Sequence, residues 1–454
     1  IKFIMIKKSK LYQYIFLIMI ILMVFFNGGN NNLYIQFNFI IVSIFFLLFI
    51  REKNYLAHVR QILTTNKLAI KLYLLFVSFL IFQTMPLPIE WINFLSPEKY
   101  NILKKLDFND GYTSISLNPS NSFFGLLNYL SIFLYLIIFK SIFYKTKDIF
   151  RFYYFIILLG ALASSVAIYF FLIGNPDFFI LKNTAYKAAS TGFFINRTVF
   201  SCFLVLCFFC GIEYLKLVDM FQKDNTYNFF KKIYVRIFIL LITIGIITSF
   251  SRLGNFLLVS LIFIHLLQSL YLNEKKNRLF LITLILIVLF DILILGFFFG
   301  SEKLLERYSF LSQEIKQFSV SAEVSLSRGD LAQFAYIEFK KFILFGYGGG
   351  GFEYLLKINY QNLSTHFAVH AHSDLIEFMG EFGLIGSILL VLSVLFIFIK
   401  NHIFNFKNII LFYLLFFILT FDFSFHIPLI QLLFILLLSV NYKRNSNVKY
   451  KFNK

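Results

Sequence analysis

Three of the chain's seven histidines, His366, His370 and His372, fall in one seven-residue stretch. Imidazole changes charge near neutral pH and can take a proton from a hydroxyl. Residues two apart share a face only in an extended segment. So either His370 and His372 both face one site, or one of them faces solvent. Ser373 follows as a candidate helix N-cap, with Asp374 placed for the first turn. A metal reading of His370-x-His372 with Asp374 is weak, because the further ligands a metal site needs are not evident. Three arginines are the other candidates: Arg197 in Phe194-Ile195-Asn196-Arg197, Arg252 in Ser249-Phe250-Ser251-Arg252-Leu253-Gly254, and Arg328 in Ser327-Arg328-Gly329-Asp330. Guanidinium groups are planar and always charged, so a cluster of them suits a phosphate or diphosphate. Each has a plainer reading too, as a residue reaching for headgroups or, for Arg328, a partner of Asp330.

Other polar features carry less. Asp291 lies inside an apolar run, where an acid is a functional candidate by default. Gly346-Tyr347-Gly348-Gly349-Gly350-Gly351 lacks the strand-to-helix context of a dinucleotide site and reads as a flexible or tightly packed loop. There is no phosphate-binding G-x-x-x-x-G-K-[ST] loop. Cys202, Cys207 and Cys210 share one apolar segment, which argues against a disulfide framework or a zinc site.

These residues must be held by a membrane scaffold. Of 454 residues, 59% are hydrophobic and 14% charged, well below the charge of a soluble domain. The high counts of Phe, Ile, Lys and Asn follow A/T-rich codons and are compositional bias. Twelve apolar stretches approach bilayer length: 11–26, 33–50, 68–83, 123–140, 149–173, 195–215, 234–249, 253–272, 279–299, 378–399, 408–425 and 428–442. The first is read as a retained helix, not a cleaved signal. The fold expected is an all-α membrane protein of about 12 transmembrane helices, with both termini cytoplasmic. The segments then placed inside carry 28 Lys and Arg against 6 Asp and Glu, and the other face 14 against 16. That asymmetry obeys the positive-inside rule. The net charge of +19 is therefore a topology signal, and no nucleic-acid partner is called for.

Long connections fall on the outer face, at 84–122, 174–194 and 300–377. The last, between spans nine and ten, is longer than a connector needs and is expected to be partly helical, at about 302–318, 328–343 and 352–360. Residues 1–299, 300–377 and 378–454 are thus read as nine spans, an external loop, and three spans with a cytoplasmic tail, all in one integrated domain. No internal repeat is visible, which weakens a secondary-transporter reading.

The order of motifs resembles the O-antigen ligase / O-antigen polymerase superfamily. Gly-Tyr-Gly-Gly-Gly-Gly-Phe from Gly346, His370-Ala371-His372-Ser373-Asp374-Leu375-Ile376-Glu377 and Gly380-Glu381-Phe382-Gly383-Leu384-Ile385-Gly386 resemble that family's glycine turn, H-x-H-N motif and E-x-G-x-x-G start of the next helix. Ile115-Ser116-Leu117-Asn118-Pro119, Asn196-Arg197, Ser249–Gly254 and Phe421-Asp422-Phe423-Ser424-Phe425-His426-Ile427-Pro428 resemble further family elements in the same order. The resemblance covers roughly residues 110–440. It implies a glycan donor on undecaprenyl diphosphate, a sugar-hydroxyl acceptor such as lipid A–core, and transfer on the periplasmic face of the inner membrane, with no metal or other cofactor. Arg197, Arg252 and Arg328 would bind the diphosphate; His372, the first choice, or His370 would be the base. Ser373 stands where the family has Asn, so an amide contact to substrate is not expected there.

A polymerase of the same superfamily, with a second lipid-linked glycan as acceptor, is the nearest rival, and a relative that glycosylates protein ranks lower. A flippase or transporter of lipid-linked sugars would instead predict charges lining a mid-membrane cavity, where only Asp291 stands clearly.

Overall fold

The computed structural model describes residues 2–108, 111–177, 186–221, 226–271, 327–360, 368–399 and 405–440, and the isolated positions 282, 285 and 289. The expected ninth span with Asp291, the loop helix at 302–318 and His366 lie outside the described stretches. The described helices are α1 (Lys2–Phe25), α2 (Asn32–Ile50), α3 (Lys53–Thr65), α4 (Lys67–Thr84), α5 (Ile89–Leu95), α6 (Pro97–Lys105), α7 (Pro119–Ile142), α8 (Thr146–Leu172), α9 (Arg197–Phe221), α10 (Thr226–Thr248), α11 (Arg252–Tyr271), α12 (Arg328–Lys341), α13 (Gly351–Asn359), α14 (Asp374–Ile399), α15 (Phe406–Phe421) and α16 (Pro428–Ser439). Eleven of the twelve expected spans coincide with helices of this series. Among the described residues seven helices are long and apolar enough to cross a membrane, and three apolar helices are shorter. The chain is an all-α, multi-pass membrane protein.

The last two spans are shorter than the sequence suggested. A helix of 12 residues such as α16 is only about 18 Å long, short of the roughly 30 Å hydrocarbon core. Asp422 leaves α15 in extended backbone, a 3-10 turn follows at Ser424–His426, and Pro428 opens α16. At its other end the Lys407 ammonium donates to the carbonyls of Leu437 (2.7 Å) and Val440 (2.6 Å) and stops the helix. The sequence reading also passed over α3, which lies within the connection 51–71.

α9 is buried along its whole apolar length, with α8, α10 and α11 packed around it. Small residues set the close approaches. A Cβ on Gly160 would lie 2.6 Å from Cys207 Cβ, and one on Gly245 would lie 2.0 Å from Ser164 Oγ. Cys202, Cys207 and Cys210 are free and buried, as expected of packing residues.

One end of the bundle gathers the connections that carry the candidate residues. Ile195 N–H donates to the Asn27 side chain (2.9 Å), Ser190 N–H to Thr248 O (3.0 Å), Ser116 N–H to Gln83 O (3.0 Å) and Leu117 N–H to Tyr347 O (2.9 Å). The connection after α4 pairs Leu87 with Thr113 and Pro88 with Tyr112 in a short antiparallel ladder. The buried Lys99 ammonium of α6 fastens it by donating to Ser116 O (2.7 Å) and Ser114 O.

A glycine then breaks α14. Gly383 has φ +62° and ψ −173°, a region that essentially only glycine reaches. The break releases backbone groups from the helix ladder. Leu384 N–H donates to Ile343 O (2.8 Å), while Gly380 and Glu381 carbonyls accept from Tyr347 N–H (2.9 Å) and Gly348 N–H (3.0 Å). Gly346, at φ +72°, meets the break so closely that a Cβ there would lie 2.4 Å from Glu381 O. The glycine run is thus a tight-packing segment laid against a broken helix. Irregular backbone of this kind is tolerated in a membrane protein where the chain itself supplies the hydrogen bonds.

Candidate active site

The first two turns of α14 carry Asp374, Glu377 and Glu381, at i, i+3 and i+7, on one face. All three are buried, and each binds a different connection. Asp374 accepts from Phe425 N–H (2.6 Å) and contacts His426 Nδ1. Glu377 accepts from Ala371 N–H through Oε2 (2.7 Å) and from His370 Nδ1 through Oε1 (2.9 Å). Glu381 accepts from Gly350 N–H through Oε1 (2.7 Å), and its Oε2 lies 3.4 Å from His426 Nε2. Three connections, those at Gly350, at His370–Ala371 and at Phe425–His426, are therefore tied to one acidic helix face.

His370 and His372 point to the same side, though not through a strand. His372 adopts φ +56°, which turns the backbone, and both rings meet Phe423. His370 stacks on it at 4.8 Å, and His372 meets it edge-on at 5.1 Å. The His370 ring is fixed by Glu377 at Nδ1, which leaves Nε2 as its other nitrogen. His372 Nδ1 is buried and has no hydrogen-bond partner among the described residues. Burial, the Arg328 guanidinium and His370 hold the His372 imidazole down, to about 4.

Local sequence explains why Arg328 is close by. Ser327 and Asp330 form a reciprocal cap on α12: Ser327 N–H donates to Asp330 Oδ2 (2.8 Å) and Asp330 N–H to Ser327 Oγ (3.2 Å). Asp330 is therefore committed to the cap, and its expected pairing with Arg328 is replaced. The Arg328 guanidinium instead acts on His372 and on the Asp422 carboxylate.

Arg197 and Arg252 occupy the first residues of α9 and α11. Asn196 caps α9 by accepting from Thr198 N–H (2.7 Å), and the Arg197 guanidinium lies 5.2 Å from the centre of the Tyr186 ring. The two helices touch one turn further in, where a Cβ on Gly254 would lie 2.4 Å from Ser201 Cβ. The next residue of α9, Cys202, is within hydrogen-bond reach of Ser424, beside Asp422. Both arginines therefore lie at the same end of the bundle as the histidines. Arg328 acts electrostatically on His372, and Arg197 and Arg252 stand at the starts of α9 and α11.

His426, Glu377, Glu381 and Asp374 were not picked as site residues from the sequence. His426 is nearly enclosed. Phe378 stacks on its ring at 4.1 Å, and His370 lies at 4.9 Å. Burial pushes its imidazole down, but Asp374, Glu377 and Glu381 outweigh that and hold it well above the ordinary histidine value. His370, Glu377 and His426 offer nitrogen and oxygen atoms all within 4.8 Å of one another, a spacing open to a metal ion. Here a hydrogen bond joins His370 Nδ1 to Glu377 Oε1 (2.9 Å), and His426 Nε2 lies 3.7 Å from the same oxygen.

Residues 237–391 match the family model described as O-antigen ligase. The matched stretch runs from α10, through Arg252 and Arg328, to the acidic face of α14. Over that stretch the chain is similar to the O-antigen ligase family, and the match supports the O-antigen ligase superfamily. That family indicates a glycosyltransferase-like ligase or polymerase, acting in the membrane on a lipid-linked glycan and a glycan acceptor. A comparison with curated proteins finds no match.

Proposed function

We propose that the protein is a periplasmic-facing inner-membrane glycosyltransferase that moves a glycan from undecaprenyl diphosphate to a sugar hydroxyl such as one on lipid A–core. The observation that carries this reading is a carboxylate-backed histidine, His370 on Glu377, two residues from His372, on which the Arg328 guanidinium acts electrostatically. The acceptor oxygen bonds to the anomeric carbon as the bond from that carbon to the diphosphate oxygen breaks. The diphosphate leaves with the electron pair, and His370 Nε2 takes the hydroxyl proton. A carboxylate on the far nitrogen fixes the tautomer and strengthens the imidazole as a base, which favours His370 over His372 for this role. Arg328, with Arg197 and Arg252 at the positive ends of α9 and α11, offsets the charge growing on the diphosphate. The leaving group supplies the driving force, so the step draws on no nucleotide, metal or other cofactor.

The test is reconstitution of the full chain in vesicles with undecaprenyl-diphosphate glycan and lipid A–core, following release of undecaprenyl diphosphate. Release should occur and should be abolished by His370→Ala and reduced by Arg252→Ala. Glycan movement across the vesicle without release would favour a transporter instead. Elongated lipid-linked glycan in place of glycan on lipid A–core would identify a polymerase.

A further inference from the structure

Among the described residues, His426 contacts all three acids of the α14 face. Its Nδ1 contacts Asp374, and its Nε2 lies 3.4 Å from Glu381 Oε2 and 3.7 Å from Glu377 Oε1. A ring with carboxylate oxygen at both nitrogens is satisfied only when both nitrogens are donors, that is, as imidazolium. The ring is sealed by Phe378 on one side and sits against His370 on another. Its position rules it out as the base, because no nitrogen faces the site. Its charge instead acts on what holds His370. Glu377 uses one oxygen for Ala371 N–H and the other for both His370 Nδ1 and His426 Nε2.

We propose that His426 is a positioning residue for glycan transfer, a buried imidazolium that clamps Asp374, Glu377 and Glu381 together and so keeps Glu377 aligned behind His370. This rests on the transferase reading above. Without the clamp, three buried carboxylates would face one another with no common cation, and mutual repulsion would move them or draw protons onto them. Glu377 would then hold His370 less well, although His370, His372 and the arginines would all still be present.

The test compares His426→Gln, Asp374→Asn and the double variant in the reconstituted full chain. Folded yield and thermal unfolding are recorded alongside kcat and KM for undecaprenyl-diphosphate glycan. His426→Gln keeps a hydrogen-bonding side chain but removes the charge. It should lower kcat at least tenfold per folded molecule and leave KM within about threefold. Asp374→Asn keeps the side-chain shape and removes one of the three negative charges, so the double variant should recover part of the lost kcat. A residue that merely packs would lower folded yield without changing kcat per folded molecule, and removing Asp374 as well would not restore activity. That result, or an unchanged kcat in folded His426→Gln, overturns the proposal. If His426→Gln does not fold, Asp374→Asn alone decides. It should lower kcat, and an unchanged kcat overturns the clamp. His370→Ala separates the two levels of the argument. If His370→Ala is inactive while the His426 and Asp374 variants are normal, only the clamp fails. If His370→Ala retains full activity, the transfer reading itself fails.

Discussion

Glu377→Gln tests the site most directly, because the carboxylate has two tasks that an amide cannot share. In the native site Oε2 accepts from Ala371 N–H at 2.7 Å and Oε1 from His370 Nδ1 at 2.9 Å. Glutamine has one acceptor oxygen and one NH2 donor. The backbone N–H of Ala371 cannot change its role, so the amide oxygen turns towards it and the NH2 faces His370. The ring relieves that donor–donor contact by making Nδ1 the acceptor and moving its proton to Nε2. That nitrogen is then already protonated and can take no proton from a sugar hydroxyl. A hydrogen bond to a charged group is worth about 1.5–3 kcal/mol, and each 1.36 kcal/mol is a factor of ten in rate. The expected fall in kcat is therefore about 10- to 150-fold, with KM for the donor little changed, because no diphosphate contact is touched. The measurement is steady-state release of undecaprenyl diphosphate by reconstituted protein at matched folded concentration. A Glu377→Gln protein within threefold of wild-type kcat, under conditions where His370→Ala is inactive, would refute the orientation argument.

Arg328→Lys keeps the charge and loses the planar fork. It should lower kcat/KM for the diphosphate donor by about tenfold or more, whereas a purely electrostatic role for Arg328 would leave it nearly unchanged. Gly383→Ala forces a Cβ to 2.3 Å from Leu344 O in a backbone region closed to alanine. Backbone strain alone costs about 1–3 kcal/mol, so a drop in unfolding temperature and in folded yield is expected. Lys99→Met leaves the Ser114 and Ser116 carbonyls without their ammonium donor and should lower stability by roughly 1–3 kcal/mol. Burial lowers Lys99 to about 8 from 10.5, so between those values the unfolded chain binds the extra proton. Wild-type stability relative to Lys99→Met should then rise with pH across that window, which unfolding curves at pH 8 and 10 would check.

How much of this was legible depended on whether the signal was local. Spans declare themselves by composition over about twenty residues, and eleven of the twelve expected have a helix in place. Helices α12 and α13 fell within two residues of expectation, because Ser327 and Asp330 form a local capping pattern. The shortening of α15 and α16 was hidden, since the Asp422–Pro428 turn and the Lys407 cap act within an unbroken apolar composition. The histidine pair was visible as a cluster, but its orientation was not, because the turn at His372 depends on Glu377, Phe423 and Arg328. His426 lies more than fifty residues from His370, and no spacing rule joins them. One local signal did exist. Asp374, Glu377 and Glu381 repeat at i, i+3 and i+7 at the start of an otherwise apolar helix, and acids are costly there unless they are paired or used.

The broken helix explains how so apolar a chain assembles such a site. A continuous α14 would satisfy its own backbone and offer the loops only side chains. The break at Gly383 releases carbonyls at Gly380 and Glu381, and the glycine run takes them with Tyr347 and Gly348 N–H groups. Gln83 Nε2 of α4 adds a third donor, at 2.9 Å from Glu381 O. Glu381 is thereby held through its backbone by the loop before α14 and by α4, and through its side chain by Gly350 and His426. The same helix that carries the acids is thus anchored just beyond them. A shift of the glycine run must move Glu381, and a shift of Glu381 must disturb His426 and, through Glu377, His370. Substitutions at Gly346 or Gly383 should consequently impair the site through the backbone. Their effect should spread from the backbone outward, with folded yield falling before any selective loss of kcat appears.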